Sequence, residues 1–149
     1  MKKSAFSFQL SIVLFLSMWM PRTGFSQAQV TEQSRTYALV IGISNYQNEG
    51  IDPLDFAHKD AEAFANFLKS NAGGAVPDSN IVLLQNEKAT FTAIYNAWDW
   101  LLETCKENDL VYFYFSGHGD MENSTIYKLG FLISYNTPRS NYINNAVRI

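Results

Sequence analysis

The stretch Asp109 to Asp120, DLVYFYFSGHGD, constrains this chain more than any other. Leu110 to Phe115 is an unbroken apolar and aromatic run, built from residue types that fit a pleated, buried surface. A strand with one wet face would alternate apolar with polar, so this run predicts a central strand buried on both faces. It breaks at Ser116-Gly117-His118-Gly119. Ligands of open parallel sheets bind just outside the carboxyl ends of the strands, and His118 falls there. The flanking glycines let the backbone turn sharply and come close to a bound molecule. A plain turn histidine and an active-site histidine both fit this pattern.

The segments upstream supply the architecture. Tyr37 to Ile43 (YALVIGI) is a second apolar, β-branched run and reads as a buried strand. After a polar loop through Gly50 and Pro53, Asp55 stands where an N-cap belongs, ahead of a helix over about Phe56 to Ser70. Ala57, Ala61, Phe64, Ala65 and Leu68 recur at helical spacing and form its buried stripe. Asn80 to Gln85 reads as a third strand. Thr90 caps a second helix with Ile94, Ala97, Trp98, Leu101 and Cys105 facing inward, and Asn108 closes the turn after it. Strands alternating with amphipathic helices predict an α/β fold, a three-layer α-β-α sandwich around a mostly parallel sheet. Downstream, Gly130 to Ser134 reads as one more extended segment. Asn136 to Asn145 reads as a loop, and Ala146 to Ile149 as the run-up to a helix.

The first residues stand apart from this pattern. Lys2 and Lys3 precede an uncharged stretch with a strongly apolar centre, Leu10 to Met20, and small residues at Ser26 and Ala28 suit cleavage after Ala28. That is the layout of a signal peptide over residues 1–28, and the apolar span is short against the ~20 residues that a membrane helix requires. Export to a periplasmic or extracellular space is the expectation, with no membrane association after cleavage. Residues 29–36 read as a linker and residues 37–149 as one domain. A net charge of −3 without a basic cluster gives no reason to expect a nucleic-acid partner. The aromatic content of 15% suits a substantial core. A single cysteine excludes an internal disulfide.

Two further residues bear on chemistry. Asp60 lies in the first turns of the first helix, at the sheet edge that presents His118. It is either an acid stabilised by the helix dipole or a wall of a cleft. Cys105 tests a Cys–His pairing with His118. The strand between them spans roughly 20 Å at about 3.3 Å per residue, far beyond the reach of a dyad. Cys105 therefore reads as a core cysteine at the opposite sheet edge.

YALVIGISNY, LDFAHKDAEAF and DLVYFYFSGHGD, in this order, resemble the opening half of a caspase-like cysteine peptidase domain, nearest the metacaspase and orthocaspase branch. The resemblance runs from Tyr37 to the end of the chain. It implies that His118 is the histidine of a Cys–His dyad and that the Gly119 N–H helps bind the oxyanion. It further implies that Asp60 and Ser116 line the pocket for the substrate residue before the cut, so that cleavage follows Arg or Lys. Ala57 departs from the family, which often carries a cysteine there. The nucleophilic cysteine of that family lies on a strand after the next helix, which implies a domain truncated before that strand and a chain inactive by itself. A peptide or protein substrate is implied and no cofactor. Some metacaspases respond to calcium, but no clustered acidic loop is present, and no metal is expected. Two other readings use the same residues: a non-catalytic caspase-like module for binding or assembly, and an α/β-hydrolase esterase. In an esterase the His-Gly stretch would supply oxyanion donors, but no Gly-x-Ser-x-Gly elbow occurs.

Overall fold

A computed structural model describes residues 34–121, 126, 128–138 and 145–149. The export segment expected at residues 1–28, and residues 29–33 of the linker, lie outside them. The elements run β1 (Thr36–Gly42), α1 (Ala57–Lys69), β2 (Ile81–Gln85), α2 (Phe91–Thr104), β3 (Leu110–Ser116), β4 (Gly119–Met121), β5 (Gly130–Leu132) and β6 (Val147–Arg148). The first three strands form a parallel sheet in the order β2-β1-β3, and the last three form a small antiparallel sheet in the order β4-β5-β6.

β1 divides the core in two, because successive side chains of a strand point to opposite faces. Tyr37, Leu39 and Ile41 pack with Ile94, Ala97 and Leu101 of α2. Ala38 and Val40 pack with Ala61, Ala65 and Leu68 of α1 on the other side. The expected three layers are therefore present, with one helix on each face. Leu39, Val40 and Ile41 are wholly buried, and burial of each stabilises the fold by about 1.5–3 kcal/mol over exposure. Gly42, at the end of β1, admits α1: a Cβ there would lie 2.4 Å from the Ala57 carbonyl oxygen and 2.5 Å from the Ala61 Cβ.

Four expectations need correction. Among the described residues β3 is not central: it pairs with β1 alone, and Leu110, Val111, Tyr112 and Phe113 are 39–49% exposed. Its apolar run fits burial on both faces, but none of the described strands lies on its other side. Asp55 does not cap α1. That helix starts after Phe56 without a side-chain cap from it, and the Oγ of buried Ser44 instead accepts the His58 N–H at 3.1 Å. A hydroxyl from the preceding strand end thus does the work expected of a local carboxylate. Residues 146–149 are not the start of a helix. Val147 and Arg148 form β6, because Val147 is buried opposite Leu132 and the ladder to β5 satisfies the backbone. Finally, folded structure begins before Tyr37: the Asp109 carboxylate accepts the Arg35 N–H at 2.8 Å, and Ser34 Oγ donates to the Asn108 carbonyl at 2.7 Å.

The cap expected at Thr90 is present, with Thr90 Oγ1 accepting the Ala93 N–H at 3.2 Å. Asn108 closes the turn into β3 in a left-handed conformation, φ 72°.

Candidate active site

The order β2-β1-β3 reverses direction at β1: the chain leaves β1 toward β2 and then crosses back to β3. The carboxyl ends of β1 and β3 therefore lie side by side where the strand order reverses, the usual ligand position in such sheets. The polar segment after β1, residues 43–56, and Ser116 to Gly119, after β3, meet there. The Ile43 N–H donating to the Ser116 carbonyl at 2.9 Å joins them at the base.

His118 is half-buried and held at three points. Its backbone N–H donates to the Tyr46 hydroxyl oxygen at 2.8 Å. Its carbonyl accepts the Ile133 N–H at 2.9 Å. Its ring Nε2 lies 2.8 Å from the Asp52 carbonyl oxygen. A carbonyl can only accept, so Nε2 carries the hydrogen and, in the neutral ring, Nδ1 keeps the lone pair. The Tyr46 ring lies 5.4 Å from the imidazole, tilted by 42°. Burial pushes the Tyr46 phenol above its ordinary proton affinity, and the His118 N–H partly offsets this.

Gly119 begins β4 opposite Leu132. The Ile133 N–H to His118 carbonyl bond brackets that pair. In an antiparallel ladder the bracketed pair exchanges no hydrogen bonds with each other, so the Gly119 N–H is directed away from β5. Gly119 is exposed, and an added Cβ would come no nearer than 3.4 Å to the Phe131 carbonyl oxygen.

Ser116 and Asp60 come to one flank. Tyr112, Tyr114 and Ser116 share the face of β3 that meets α1, where Phe64 stacks on Tyr114 at 4.6 Å between centroids. Asp60 is one turn before Phe64 on the same side of the helix, about 6 Å along its axis. Ser116 is two residues beyond Tyr114, about 6.6 Å along the strand. Since α1 runs back from the carboxyl edge, the two steps are in the same direction, and Asp60 stands at the level of Ser116. Asp60 is exposed and, being in the first turn of α1, also favoured by the helix dipole.

Cys105 is remote from all of this. It follows the last residue of α2 at the opposite sheet edge, half-buried against the α2 side of the core, and β3 carries the chain roughly 20 Å from there to Ser116. Burial, with a smaller contribution from the Asp109 carboxylate, pushes its thiol up, the reverse of what an attacking thiolate requires.

Four contributors escaped the sequence reading. Tyr46 follows a buried strand within a polar loop, an aromatic out of place, and that was its one signal. Ser44 and His58, with Ser44 Oγ 2.7 Å from His58 Nδ1, pin the loop to α1. The Asp52 carbonyl is a backbone atom and has no side-chain signature at all.

The family model for the caspase domain matches residues 35–148. Metacaspase-1A of Aspergillus oryzae (strain ATCC 42149 / RIB 40) is 36% identical to the chain over 88 residues, covering 55% of this chain. The chain spans a fifth, 20%, of the length of that curated relative.

Proposed function

The chain belongs to the caspase family of cysteine peptidases, and we propose that it carries the histidine side of a Cys–His endopeptidase centre, with His118 as general base and acid. The observation that carries this reading is the bond from His118 Nε2 to the Asp52 carbonyl. It leaves Nδ1 as the basic nitrogen at a sheet edge where ligands bind. It also stabilises the imidazolium once Nδ1 takes a proton, since a charged donor makes the stronger hydrogen bond.

A cysteine thiol brought to Nδ1 passes its proton there, and the thiolate sulfur bonds to the substrate carbonyl carbon. The resulting oxyanion faces the Gly119 N–H, a type of contact worth roughly 3 kcal/mol where such donors have been removed. Nδ1 then returns the proton to the leaving amine as the carbon–nitrogen bond breaks. Water hydrolyses the thioester, giving its proton to the same nitrogen.

Cys105 cannot be that thiol, so these 149 residues alone are inactive. On this reading the nucleophile is a thiol presented beside Ser116 to Gly119, at the carboxyl end of β3. Asp60 and Ser116 wall the pocket for the residue before the cut and favour Arg or Lys, because a carboxylate accepts a guanidinium through two parallel hydrogen bonds. Residues 1–28 direct export. The esterase alternative loses its ground with the family membership. The non-catalytic alternative predicts that a protein joining this domain to the nucleophile strand cuts nothing.

The test is cleavage of peptides bearing Arg, Lys or Asp before a reporter by that protein. His118→Ala should lower turnover by roughly a hundred- to ten-thousand-fold while the fold stays intact. Wild-type cleavage by the variant would refute the assignment.

A further inference from the structure

We propose that Tyr46 is a positioning residue for His118: its phenolic oxygen and ring fix the histidine so that Nδ1, not Nε2, keeps the lone pair. This rests on reading His118 as the base.

His118 sits opposite Ile133, where an antiparallel ladder would exchange two bonds. The Ile133 N–H gives its bond to the His118 carbonyl, but the His118 N–H turns instead to the Tyr46 oxygen. Tyr46 therefore draws the backbone away from β5 just where the histidine begins. Gly117 makes room for it: a Cβ there would lie 3.0 Å from the Tyr46 oxygen and 2.9 Å from the Phe115 ring. The first glycine of the Ser-Gly-His-Gly motif is thus matched to Tyr46, a residue 71 positions earlier.

Tyr46 is itself immobilised. Its ring packs against both the α2-side core and a smaller cluster of Phe131, Ile133 and Ala146. The loop that carries it is tied down on both sides. The Asn86 side-chain oxygen accepts the Ser44 and Asn45 N–H groups at 2.9 and 3.2 Å, and the Gln47 N–H donates to the Tyr135 carbonyl at 2.9 Å. The same loop supplies the Asp52 carbonyl to Nε2. One rigid segment thus holds His118 at the backbone and at the ring tip. With both ends set, rotation about the side-chain bonds is restricted to the orientation that keeps Nε2 on the Asp52 carbonyl and leaves the lone pair to Nδ1. The buried phenol stays protonated at neutral pH and places no negative charge beside the imidazole.

The chain has two histidines, so ring and amide NMR signals can be followed one by one in the full chain, with His58 as internal reference. Tyr46→Phe keeps the ring and removes the acceptor. His118 amide exchange should speed up about tenfold, and its ring should pass from the Nε2–H form to a mixture of tautomers, while His58 stays unchanged. In the protein that also carries the nucleophile, kcat should fall about tenfold with KM within about twofold. Gly117→Ala, which crowds the same oxygen, should reproduce the amide and tautomer changes. Unchanged exchange and tautomer at His118, or equal changes at His58, would overturn the proposal. If His118→Ala abolishes cleavage while Tyr46→Phe leaves kcat and the amide as in wild type, the positioning role falls and the base assignment stands. If His118→Ala still cleaves while Tyr46→Phe frees the His118 amide and ring, the positioning stands and the base assignment falls.

Discussion

The two rims of the parallel sheet treat their polar groups in opposite ways. At the amino rim they are consumed by structure. The Asp109 carboxylate accepts the N–H groups of Arg35 and Lys106 at 2.8 and 2.9 Å, which holds its carboxyl below the ordinary range, and Ser34 closes on Asn108. Cys105, beside them, keeps its proton. At the carboxyl rim capacity is left over: the Nδ1 lone pair of His118, the outward Gly119 N–H and the exposed carboxylate of Asp60. The hydrogen bonds made there, from His118 to Tyr46 and Asp52 and from the β1–α1 loop to Asn86, orient groups that stay available. Aspartate occurs at both rims, while the one cysteine stands at the amino rim and the two histidines at the carboxyl rim, so the rim separates scaffold from candidate site.

The comparison breaks most visibly at Asp60. In a protein able to cleave, Asp60→Ala should remove the partner of the substrate cation, a loss on the order of 1.5–3 kcal/mol in kcat/KM for Arg and Lys peptides. A peptide library that shows no change, or a preference for Asp, would return Asp60 to its helix-start role. Cys105→Ser should act in the other direction. It should cost about 1 kcal/mol of stability by placing a hydroxyl in a half-buried apolar site, visible in thermal melting. The 149-residue chain should show no thiol-dependent cleavage at any pH, with or without that substitution. Cleavage that disappears on Cys105→Ser would erase the distinction between the rims.

The smallest effect concerns Asp109. A carboxyl whose folded pKa is lowered contributes stability above its unfolded value, near ~4, and loses it as pH falls through the lower folded value. Asp109→Asn should therefore flatten the acid limb of the stability curve below about pH 4 and leave the region above neutrality parallel to wild type. A variant curve parallel to wild type through the acid range would show that the carboxylate's two backbone bonds do not couple to folding.

Much of the fold was legible because its signals are local. The stripe Ala57, Ala61, Ala65 and Leu68, the Thr90 cap and the Asn108 turn each depend on residues within a few positions of one another. The misreadings share one cause. Leu110–Phe115 and Tyr37–Ile43 look alike as sequences, yet among the described residues β1 has a strand on each side and β3 has one, and neighbour count is not a property of a strand's own residues. Asp55 looked like a cap because it stood in the right place, whereas the group that serves, Ser44, lies fourteen residues before the amide it binds.

The sequence by itself determined the order of strands and helices, the place of His118 after an aromatic strand, and the exclusion of Cys105 by strand length. Periodicity, turn residues and the rise per residue act along the chain and can be read along it. Only the tertiary structure decided which ring nitrogen of His118 bears the hydrogen, which way the Gly119 N–H is directed, and that Asp60 stands level with Ser116. Each of these depends on an atom brought from elsewhere: the Asp52 carbonyl, the Ile133 amide, the stack of Phe64 on Tyr114. A backbone carbonyl is the same in every residue, so only the packing of the chain could make that of Asp52 the partner of a histidine 66 positions away.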